Sequence, residues 1–380
     1  MRLLSSFNTF ALALIVASVA ACGDSGNNTT PDKGVGEQIV SPDTGVGDST
    51  IDLPAPDTAQ PDTTADSGQT GPWTKMDNPA NAQLRAIWGI DEQHVWAVGK
   101  GGAIVFFDGS SWRSQNNLDK SDLQGIYGID LGQSCSGTCS AVNGAACINS
   151  KCYRIQAVGP AISLTYDGTS WTKNPTSTST SYSLNAIFAT PTKVFATSDN
   201  GYILAHTVST SSPYWTTSST TGGTTLTSGN PMRGIWGISA SDVWAVGDNG
   251  KILHYTGSSW AAVTSPTTAN LYAVWGTAAD NVYAAGLDGT VLRWDGSTWA
   301  KVAMTVQTYF YALWGTGASN IFAVGQSLFA PDEQIVVYNG TNWAKLAPPQ
   351  GTVAQGVWGT SPTNVFVVGN NGIIRYTGTP

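Results

Sequence analysis

The stretch RGIWGISASDVWAVGDNG, from Arg233 to Gly250, recurs in recognisable form at six other places in the chain. Each copy contains an aromatic residue followed by a glycine or alanine, then a second apolar run. The successive copies lie mostly about 40 residues apart, a period typical of solenoids and propellers. The seven aromatic positions are Trp88, Tyr127, Phe188, Trp236, Trp275, Trp314 and Trp358.

Each copy contains four short segments with strand character. In the copy around Arg233 they read MRGIWG, DVWAVG, KILHYT and SSWAAV, and each is apolar, β-branched or aromatic and bounded by turn residues. Turn dipeptides such as Asn249-Gly250 and Asp288-Gly289 separate the second segment from the third. The sequence therefore predicts an all-β fold, a seven-bladed β-propeller of four-stranded blades.

The fourth segment of a blade carries a tryptophan in six copies, and the seventh copy ends at Pro380 before such a segment. The sequence GPWTKM, from Gly71 to Met76, has the pattern of a fourth strand. We therefore expect residues 71–76 to complete the last blade, so that neither terminus leaves a sheet edge open. All 15 tryptophans fall at repeat positions, which favours packing between blades over a sugar-binding aromatic surface.

The N-terminal region is typical of an exported chain. Arg2 precedes an apolar run from Phe10 to Ala21, and residues 1–21 are predicted to be a signal peptide. The sequence VAAC, ending at Cys22, resembles the lipobox of bacterial lipoproteins. That resemblance implies lipidation of Cys22 and a membrane anchor, and Gly23 beside it favours the outer membrane. Ordinary cleavage near Ala21, leaving a free thiol, is the alternative.

Residues 22–70 follow as a lipidated cysteine with an Asp-, Thr- and Pro-rich tether, predicted to be disordered because it has few large apolar residues. The formal net charge of the chain is -8, and almost all of it lies in this tether. Residues 71–380, the predicted propeller, are close to neutral. Nucleic acid is therefore not an expected partner, and we expect a monomer.

Four cysteines remain in the propeller, Cys135, Cys139, Cys147 and Cys152, within an insertion at 131–153. In an oxidising compartment an even cluster predicts two disulfides, with three possible pairings. A zinc site is the alternative.

The turn before the fourth strand reads DGSSW (108–112), DGTSW (167–171), TGSSW (256–260), DGSTW (295–299) and NGTNW (339–343). These turns resemble the Asp-box (BNR) repeat of sialidase-like propellers, with Asp and Gly adjacent. The tandem IWG, VWAVG and DGSSW pattern is similar to exported propeller lipoproteins of Gram-negative bacteria. The resemblance implies the propeller fold, with the Asp-box as a folding motif.

One position varies among the copies, two residues before the aliphatic residue of the first strand, and the residue after it is always Ala or Gly. A small residue fits the crowded axis, so we expect the variable side chains to line the channel mouth. The predicted ring contains Arg85, Gln124, Asn185, Arg233, Tyr272, Tyr311 and Gln355.

The same face should carry the turns between second and third strands and the links between blades. These include Asp248, Asn249, Asp288, a long loop from Thr216 to Pro231, and the segment from Ser327 to Glu333.

The ring has two interpretations. It could bind a neutral or weakly acidic polar ligand such as a glycan, with Tyr272 and Tyr311 stacking and Arg85 and Arg233 binding oxygens. It could instead be the ordinary polar lining of a water-filled channel. The first functional hypothesis is a non-enzymatic recognition or adhesion module, and the second is a scaffold lipoprotein of an envelope assembly complex.

A glycosidase or lyase acting through Asp288 or Glu333 is the third hypothesis. The propeller has two glutamates, Glu92 and Glu333, both in predicted loops, whereas glycoside hydrolysis generally uses paired carboxylates. The three histidines, His94, His206 and His254, lack metal-ligand spacing. We therefore expect no catalytic residues, no metal and no cofactor.

Overall fold

A computed structural model gives the fold of the chain. It describes residues 72–116, 119–139, 144–174, 182–208, 215–218, 229–327, 329, 334–349, 351–370 and 372–379. The signal segment, Cys22, the tether and Gly71 lie outside these residues, so what was predicted for them stays a prediction. No helix among the described residues has the length and apolar character needed to cross a bilayer.

The described residues form seven antiparallel sheets, which confirms the predicted seven-bladed, all-β propeller. Strand β1 is Trp73–Met76. Blade 1 contains β2 (Leu84–Asp91), β3 (His94–Gly99), β4 (Ile104–Phe107) and β5 (Trp112–Ser114). Blade 2 contains β6 (Gly125–Ser134), β7 (Ala146–Ile148), β8 (Lys151–Gly159), β9 (Ile162–Tyr166) and β10 (Trp171–Lys173). Blade 3 contains β11 (Leu184–Ala189), β12 (Lys193–Ser198), β13 (Ile203–Thr207) and β14 (Thr216–Thr217).

The remaining blades repeat the same order. Blade 4 contains β15 (Met232–Ser239), β16 (Asp242–Gly247), β17 (Ile252–Tyr255) and β18 (Trp260–Val263). Blade 5 contains β19 (Leu271–Ala278), β20 (Asn281–Gly286), β21 (Val291–Trp294) and β22 (Trp299–Lys301). Blade 6 contains β23 (Thr308–Gly317), β24 (Asn320–Ser327), β25 (Ile335–Tyr338) and β26 (Trp343–Lys345). Blade 7 contains β27 (Ala354–Ser361), β28 (Asn364–Gly369) and β29 (Gly372–Tyr376). The described helical segments include short 3-10 turns at Lys100–Gly102 and Asp248–Gly250.

The N-terminal strand closes the ring. Strand β1 pairs antiparallel with β29, in the order β1-β29-β28-β27, and so supplies the fourth strand of blade 7. Trp73 lies opposite Tyr376, is 4% exposed, and packs on that ring at 4.9 Å between centroids. The predicted closure by the segment at residues 71–76 is therefore confirmed.

In blades 4 and 5, the turns between second and third strands have the backbone that their sequence predicts. Asn249 and Gly250 have φ of 58° and 68°, and Asp288 and Gly289 have φ of 56° and 67°. Two successive positive φ values define the type I′ turn, which suits the twist of a hairpin and favours Asn-Gly and Asp-Gly. These turns lie at the same end of the blades as the start of each first strand, because β15 pairs with β16 from Met232 opposite Gly247.

The aromatic residues of the first strands connect successive blades. The ring of each one covers the first-strand glycine of the next blade so closely that an added methyl group would overlap it. At Gly89, for example, a Cβ atom would lie 2.6 Å from Trp358 Cη2. The pairs are Trp88 with Gly128, Phe188 with Gly237, Trp236 with Gly276, Trp275 with Gly315, Trp314 with Gly359, and Trp358 with Gly89. The repeated aromatic-glycine dipeptide is therefore an interblade contact.

At the junction between blades 2 and 3, both members of the aromatic-glycine pair are replaced. Ala189 replaces the glycine, and the aromatic residue of blade 2 is Tyr127 rather than tryptophan. Tyr127 packs against the core cluster that contains Ala189 and lies 5.4 Å from the ring of Phe188. A smaller aromatic ring thus accompanies a larger partner, as the volume limits of a packed interior require.

The same junction buries a histidine. His206 is 6% exposed, its ring lies edge-on to Trp215 at 4.7 Å, and its Nδ1 lies 3.3 Å from the carbonyl oxygen of Thr207. Burial lowers the pKa of His206 to about 4, so the imidazole is neutral near pH 7. This histidine is therefore part of the packed core.

Short polar turns precede the fourth strands. In the turn at Asp295, one carboxylate oxygen accepts the backbone N–H groups of Ser297 and Thr298, both at 2.8 Å. The backbone N–H of Thr298 and the hydroxyl of Ser297 lower the pKa of Asp295 to about 2. Asn339 makes the same two backbone contacts in blade 6. The conserved spacing of these turns therefore has a folding role.

The cysteine insertion lies between the first two strands of blade 2, as predicted. The structure pairs Cys135 with Cys147 and Cys139 with Cys152, which selects one of the three pairings that the sequence left open. Asn149 donates to Asp91 at 3.0 Å, at the end of β2 that is remote from Arg85. The insertion is therefore on the face opposite the channel mouth.

Candidate functional site

The seven variable first-strand side chains converge on one cavity of about 470 Å³, here called the mouth cavity. First strands of neighbouring blades contact one another around the ring, which places this position of each strand at the central axis. The volume falls within the range of about 300 to 1,000 Å³ that is usual for small-molecule sites. The lining consists of Gln83, Arg85, Lys100, Gln124, Asn185, Arg233, Tyr272, Tyr311 and Gln355.

Two lining residues are additions to the predicted ring. Gln83 immediately precedes β2, and Lys100 is the first residue of the turn after β3. Lys100 occupies the turn position that Asp248 occupies in blade 4, which the sequence analysis assigned to this face. Aligning the turns as well as the strands would have identified Lys100.

On the side of blades 3 and 4, the polar groups of the mouth cavity bind one another. Arg233 donates from Nε and Nη2 to the carboxylate of Asp248, at 3.0 and 3.1 Å, and from Nη1 to Asp199 at 3.2 Å. These carboxylates raise the pKa of Arg233, Asp248 contributing most. Asn185 donates to Asp199 at 2.8 Å and to the carbonyl of Met232 at 2.9 Å. The donors of Arg233 and Asn185 are therefore largely committed to the protein.

On the side of blades 5 and 6, the mouth cavity is aromatic. The rings of Tyr272 and Tyr311 lie 5.6 Å apart with an angle of 55° between their planes. The guanidinium of Arg233 lies 5.9 Å from the centre of the Tyr272 ring. Burial, with the neighbouring Tyr272 contributing less, raises the pKa of Tyr311, so the Tyr311 phenol is neutral near pH 7.

The hairpin of blade 6 is longer at this end than its counterparts. Phe310 pairs with Gly325, as Leu271 pairs with Gly286 in blade 5, and the ladder then continues through two further pairs. At about 3.4 Å per residue, the hairpin extends roughly 7 Å further on the mouth side. The extra pairs are Tyr309 with Gln326 and Thr308 with Ser327. Blade 6 therefore forms a raised wall beside the tyrosines.

On the side of blade 1, the mouth cavity carries positive charge. Arg85 makes one ion pair, from Nη2 to Asp122 at 3.1 Å. The other oxygen of Asp122 accepts the backbone N–H of Gly101 at 2.9 Å. Lys100 is exposed and, among the described residues, its ammonium group has no ion-pair partner. This side therefore has donors available to a ligand.

The other residues considered for catalysis lie elsewhere or in structural roles. His254 Nε2 lies 2.7 Å from Asp242 and its ring stacks on Trp244 at 3.9 Å, while His94 Nδ1 lies 2.8 Å from Asp91. Asp288 is exposed in its turn.

The possible metal ligands and the loop predictions have mixed outcomes. Within the part of the chain that the structure describes, one group of possible metal ligands comes close together, and its three sulfurs are in disulfides. The predicted loop from Thr216 was wrong at its start, because Thr216–Thr217 form β14 against β13. Glu333 lies outside the described residues.

A scan of protein-family models finds no match to the sequence, and a search of curated proteins finds none either. Solved structures do resemble it. A structure described as YCF48 bound to D1 peptide aligns with a TM-score of 0.60 and 17% identity, covering 82% of this chain and 98% of that one. YCF48 from Cyanidioschyzon merolae gives 0.58 and 14%, covering 80% and 98%.

A third similar structure is a streptogramin B lyase, with a TM-score of 0.62 and 12% identity, covering 79% of this chain and 94% of that one. At these identities the likeness concerns the fold. Because proteins with such different descriptions share this fold, the function has to be argued from the mouth cavity itself.

Proposed function

We propose that this protein is a non-enzymatic recognition module that binds a glycan in the mouth cavity. The observation that supports it is the convergence of the seven variable repeat positions, including two adjacent tyrosines, on one cavity. Within each copy of the repeat, the variable position lies close to residues that hardly change between copies, such as the interblade glycines. Variation at a cavity lining within a repeated framework is what a binding site on a repeated scaffold requires.

The chemistry of the lining suits a sugar. The apolar face of a pyranose stacks on an aromatic ring, and the Tyr272 and Tyr311 rings line the cavity beside the raised wall of blade 6. Sugar hydroxyls need donors and acceptors together, which the amides of Gln83, Gln124 and Gln355 supply. One side of the cavity therefore provides stacking and the other provides hydrogen bonds.

A catalytic role has less support. Glycoside hydrolysis generally uses two carboxylic groups beside the scissile bond, one of them able to act as an acid. The carboxylates nearest to the mouth cavity, Asp122, Asp199 and Asp248, each accept hydrogen bonds from an arginine. The oxygens of these carboxylates are therefore engaged by arginine side chains within the protein.

The test is binding to a glycan array by the parent protein and by the variants Tyr272→Ala and Tyr311→Ala. Loss of a stacking ring should weaken binding on the order of tenfold or more. Tyr272→Phe is the matched control, because it keeps the ring and should keep binding. If the double alanine variant folds and binds the same glycans as the parent, the mouth cavity is not the site.

A protein partner is the second candidate, favoured by one observation at the same face. Phe329, beyond the end of β24, is 81% exposed, which is unusual for a large apolar side chain. A similar propeller has been solved with a peptide bound, as its description states. This candidate would be favoured if the propeller binds no sugar but captures a defined protein from envelope extract, and if that capture depends on Phe329.

The placement of the module at the outer membrane is also a proposal. It is supported by the lipobox-like sequence at Cys22 and by the Asp-, Thr- and Pro-rich tether, which would hold a monomeric propeller away from the lipid. Mass spectrometry of the mature N-terminus tests the lipid, with Cys22→Ser as the control. Protease treatment of intact cells then distinguishes surface display from the periplasm.

A further inference from the structure

The charges around the mouth cavity are divided unequally between its sides. On the side of blades 3 and 4, one guanidinium, that of Arg233, meets the two carboxylates of Asp199 and Asp248. On the side of blade 1 there are two cations, Arg85 and Lys100, and one carboxylate, that of Asp122, which pairs with Arg85. The cavity is therefore close to neutral as a whole, with an excess of negative charge on one side and of positive charge on the other.

The two sides also differ in the donors that remain. Arg233 uses all three of its guanidinium nitrogens on Asp199 and Asp248. Arg85 uses one nitrogen on Asp122, and a guanidinium carries five N–H donors in all. Lys100 adds an exposed ammonium group that forms no ion pair within the described part of the chain. Available cationic donors are thus concentrated at blade 1.

We propose that the ligand of the mouth cavity is an anionic glycan, and that Lys100 with Arg85 binds its acidic group. This inference rests on the proposed function and specifies the ligand class. The aromatic side formed by Tyr272 and Tyr311 takes the apolar face of a sugar ring. The acidic group then points across the cavity to blade 1, because the excess carboxylate beside Arg233 repels it from blades 3 and 4.

Lys100 is the residue that determines this selectivity. Arg85 is held by Asp122, which also receives the N–H of Gly101 and so fixes the turn that carries Lys100. The backbone of Lys100 is consequently held at the cavity rim, and its side chain lines the cavity with its charge unpaired among the described residues. The shared chemistry is a sugar with a negative group, and its source is either a carboxylate, as in a uronic acid, or a sulfate ester.

The experiment compares three sets of immobilised glycans: uronic-acid oligosaccharides, sulfated oligosaccharides and their neutral counterparts. Titration calorimetry then compares an oligogalacturonate with its methyl ester, which has the same ring and no charge. We expect the acid to bind about tenfold more tightly than the ester, the usual size of a charge-assisted contact. The difference should shrink as salt is raised, since the site is open to solvent.

Three variants assign the effect. Lys100→Met keeps the aliphatic stem and removes the charge, so it should abolish the preference for the acid. Lys100→Arg should retain it. Lys301→Met, which alters an exposed lysine on the outer strand of blade 5, is the matched control and should bind as the parent does.

The outcomes separate this inference from the proposed function. Preference for uronic acids over sulfated glycans identifies a carboxylate as the ligand group, and the reverse identifies a sulfate. If neutral and acidic glycans bind equally, the anionic assignment is wrong while glycan recognition stands. If Lys100→Met keeps the preference for the acid, the role assigned to Lys100 is wrong. If the parent protein binds no glycan in any set, the proposed function itself is refuted, and this inference with it.

Discussion

The interblade contact between an aromatic ring and a glycine makes the sharpest prediction about stability. In Gly89→Ala, the added methyl group would lie 2.6 Å from Cη2 of Trp358 and 2.9 Å from two further atoms of that ring. Carbon atoms in contact prefer about 3.5 to 4.0 Å, so one blade must move by roughly an ångström. Overpacking of this kind costs about 1 to 3 kcal/mol.

Chemical denaturation and thermal unfolding would measure the effect. For a domain of this size the same loss lowers the Tm by about 2 to 5 °C. Gly317→Ala is the matched control, because that glycine ends β23 and has open space where the methyl group would go. It should unfold like the parent.

A second substitution tests the cause. The junction of blades 2 and 3 combines Tyr127 with Ala189, so Trp358→Tyr in the Gly89→Ala background should restore part of the lost stability. The coupling between the two sites, taken from a double-mutant cycle, should be favourable. The reasoning is refuted if Gly89→Ala is as stable as Gly317→Ala, or if the double variant loses more stability than the two single variants lose together.

Three further predictions concern stability. Trp73→Ala removes a side chain that is 4% exposed from the closing strand and should lower the free energy of unfolding by about 3 to 5 kcal/mol. Thr74→Ala, which alters an exposed residue of the same strand, should lower it little. An equal Tm for both variants would contradict closure by β1. Because burial lowers the pKa of His206 to about 4 in the folded protein, below the value of 6.5 for an unburied histidine, stability should fall as the pH drops from about 6.5 to 4. A His206→Phe variant should show a smaller slope in urea titrations across that window, and an unchanged slope would exclude this histidine as the cause. Asp295→Asn should keep the parent Tm, because Asn339 already makes the same turn, whereas Asp295→Ala should lower it; equal Tm values would show that the side-chain oxygen is dispensable.

The architecture could be predicted because it is encoded in local, repeated signals. The dipeptides Asn249-Gly250 and Asp288-Gly289 form the type I′ turns that such pairs favour, and the alternation of short apolar runs indicates strands. Closure was predictable for the same reason, since Trp73 stands in a copy of the fourth-strand pattern. A repeated unit has to satisfy the same contacts at every copy, so its sequence shows which residues are structural.

Seven of the nine residues that line the mouth cavity belong to the ring predicted from the sequence, by the opposite property, variation beside a fixed small residue. The ion pairs that these side chains make could not be predicted from the sequence. Arg233 binds Asp199, which comes from a turn in the preceding blade, and nothing local indicates which of the two neighbouring blades supplies the partner. The unequal charge on the side of blades 3 and 4 and on the side of blade 1 depends on such contacts, so only the structure shows it.

Two other features also required coordinates. The pairing of Cys135 with Cys147 could not be chosen from spacing, because four cysteines allow three arrangements. The two-residue extension of blade 6 arises where Tyr309 continues the ladder past the usual end, and the residues around it have ordinary loop composition. The disulfide and the additional strand pairing both join segments that lie outside the repeated sequence pattern.

The most direct test of the account is a crystal structure of the propeller soaked with an acidic oligosaccharide that the array identifies. The account predicts electron density for a sugar ring against Tyr272 and Tyr311, with its acidic group within hydrogen-bond distance of Lys100 or Arg85. Density for the sugar at the cysteine insertion, or along the outer strands, with an empty mouth cavity would contradict it.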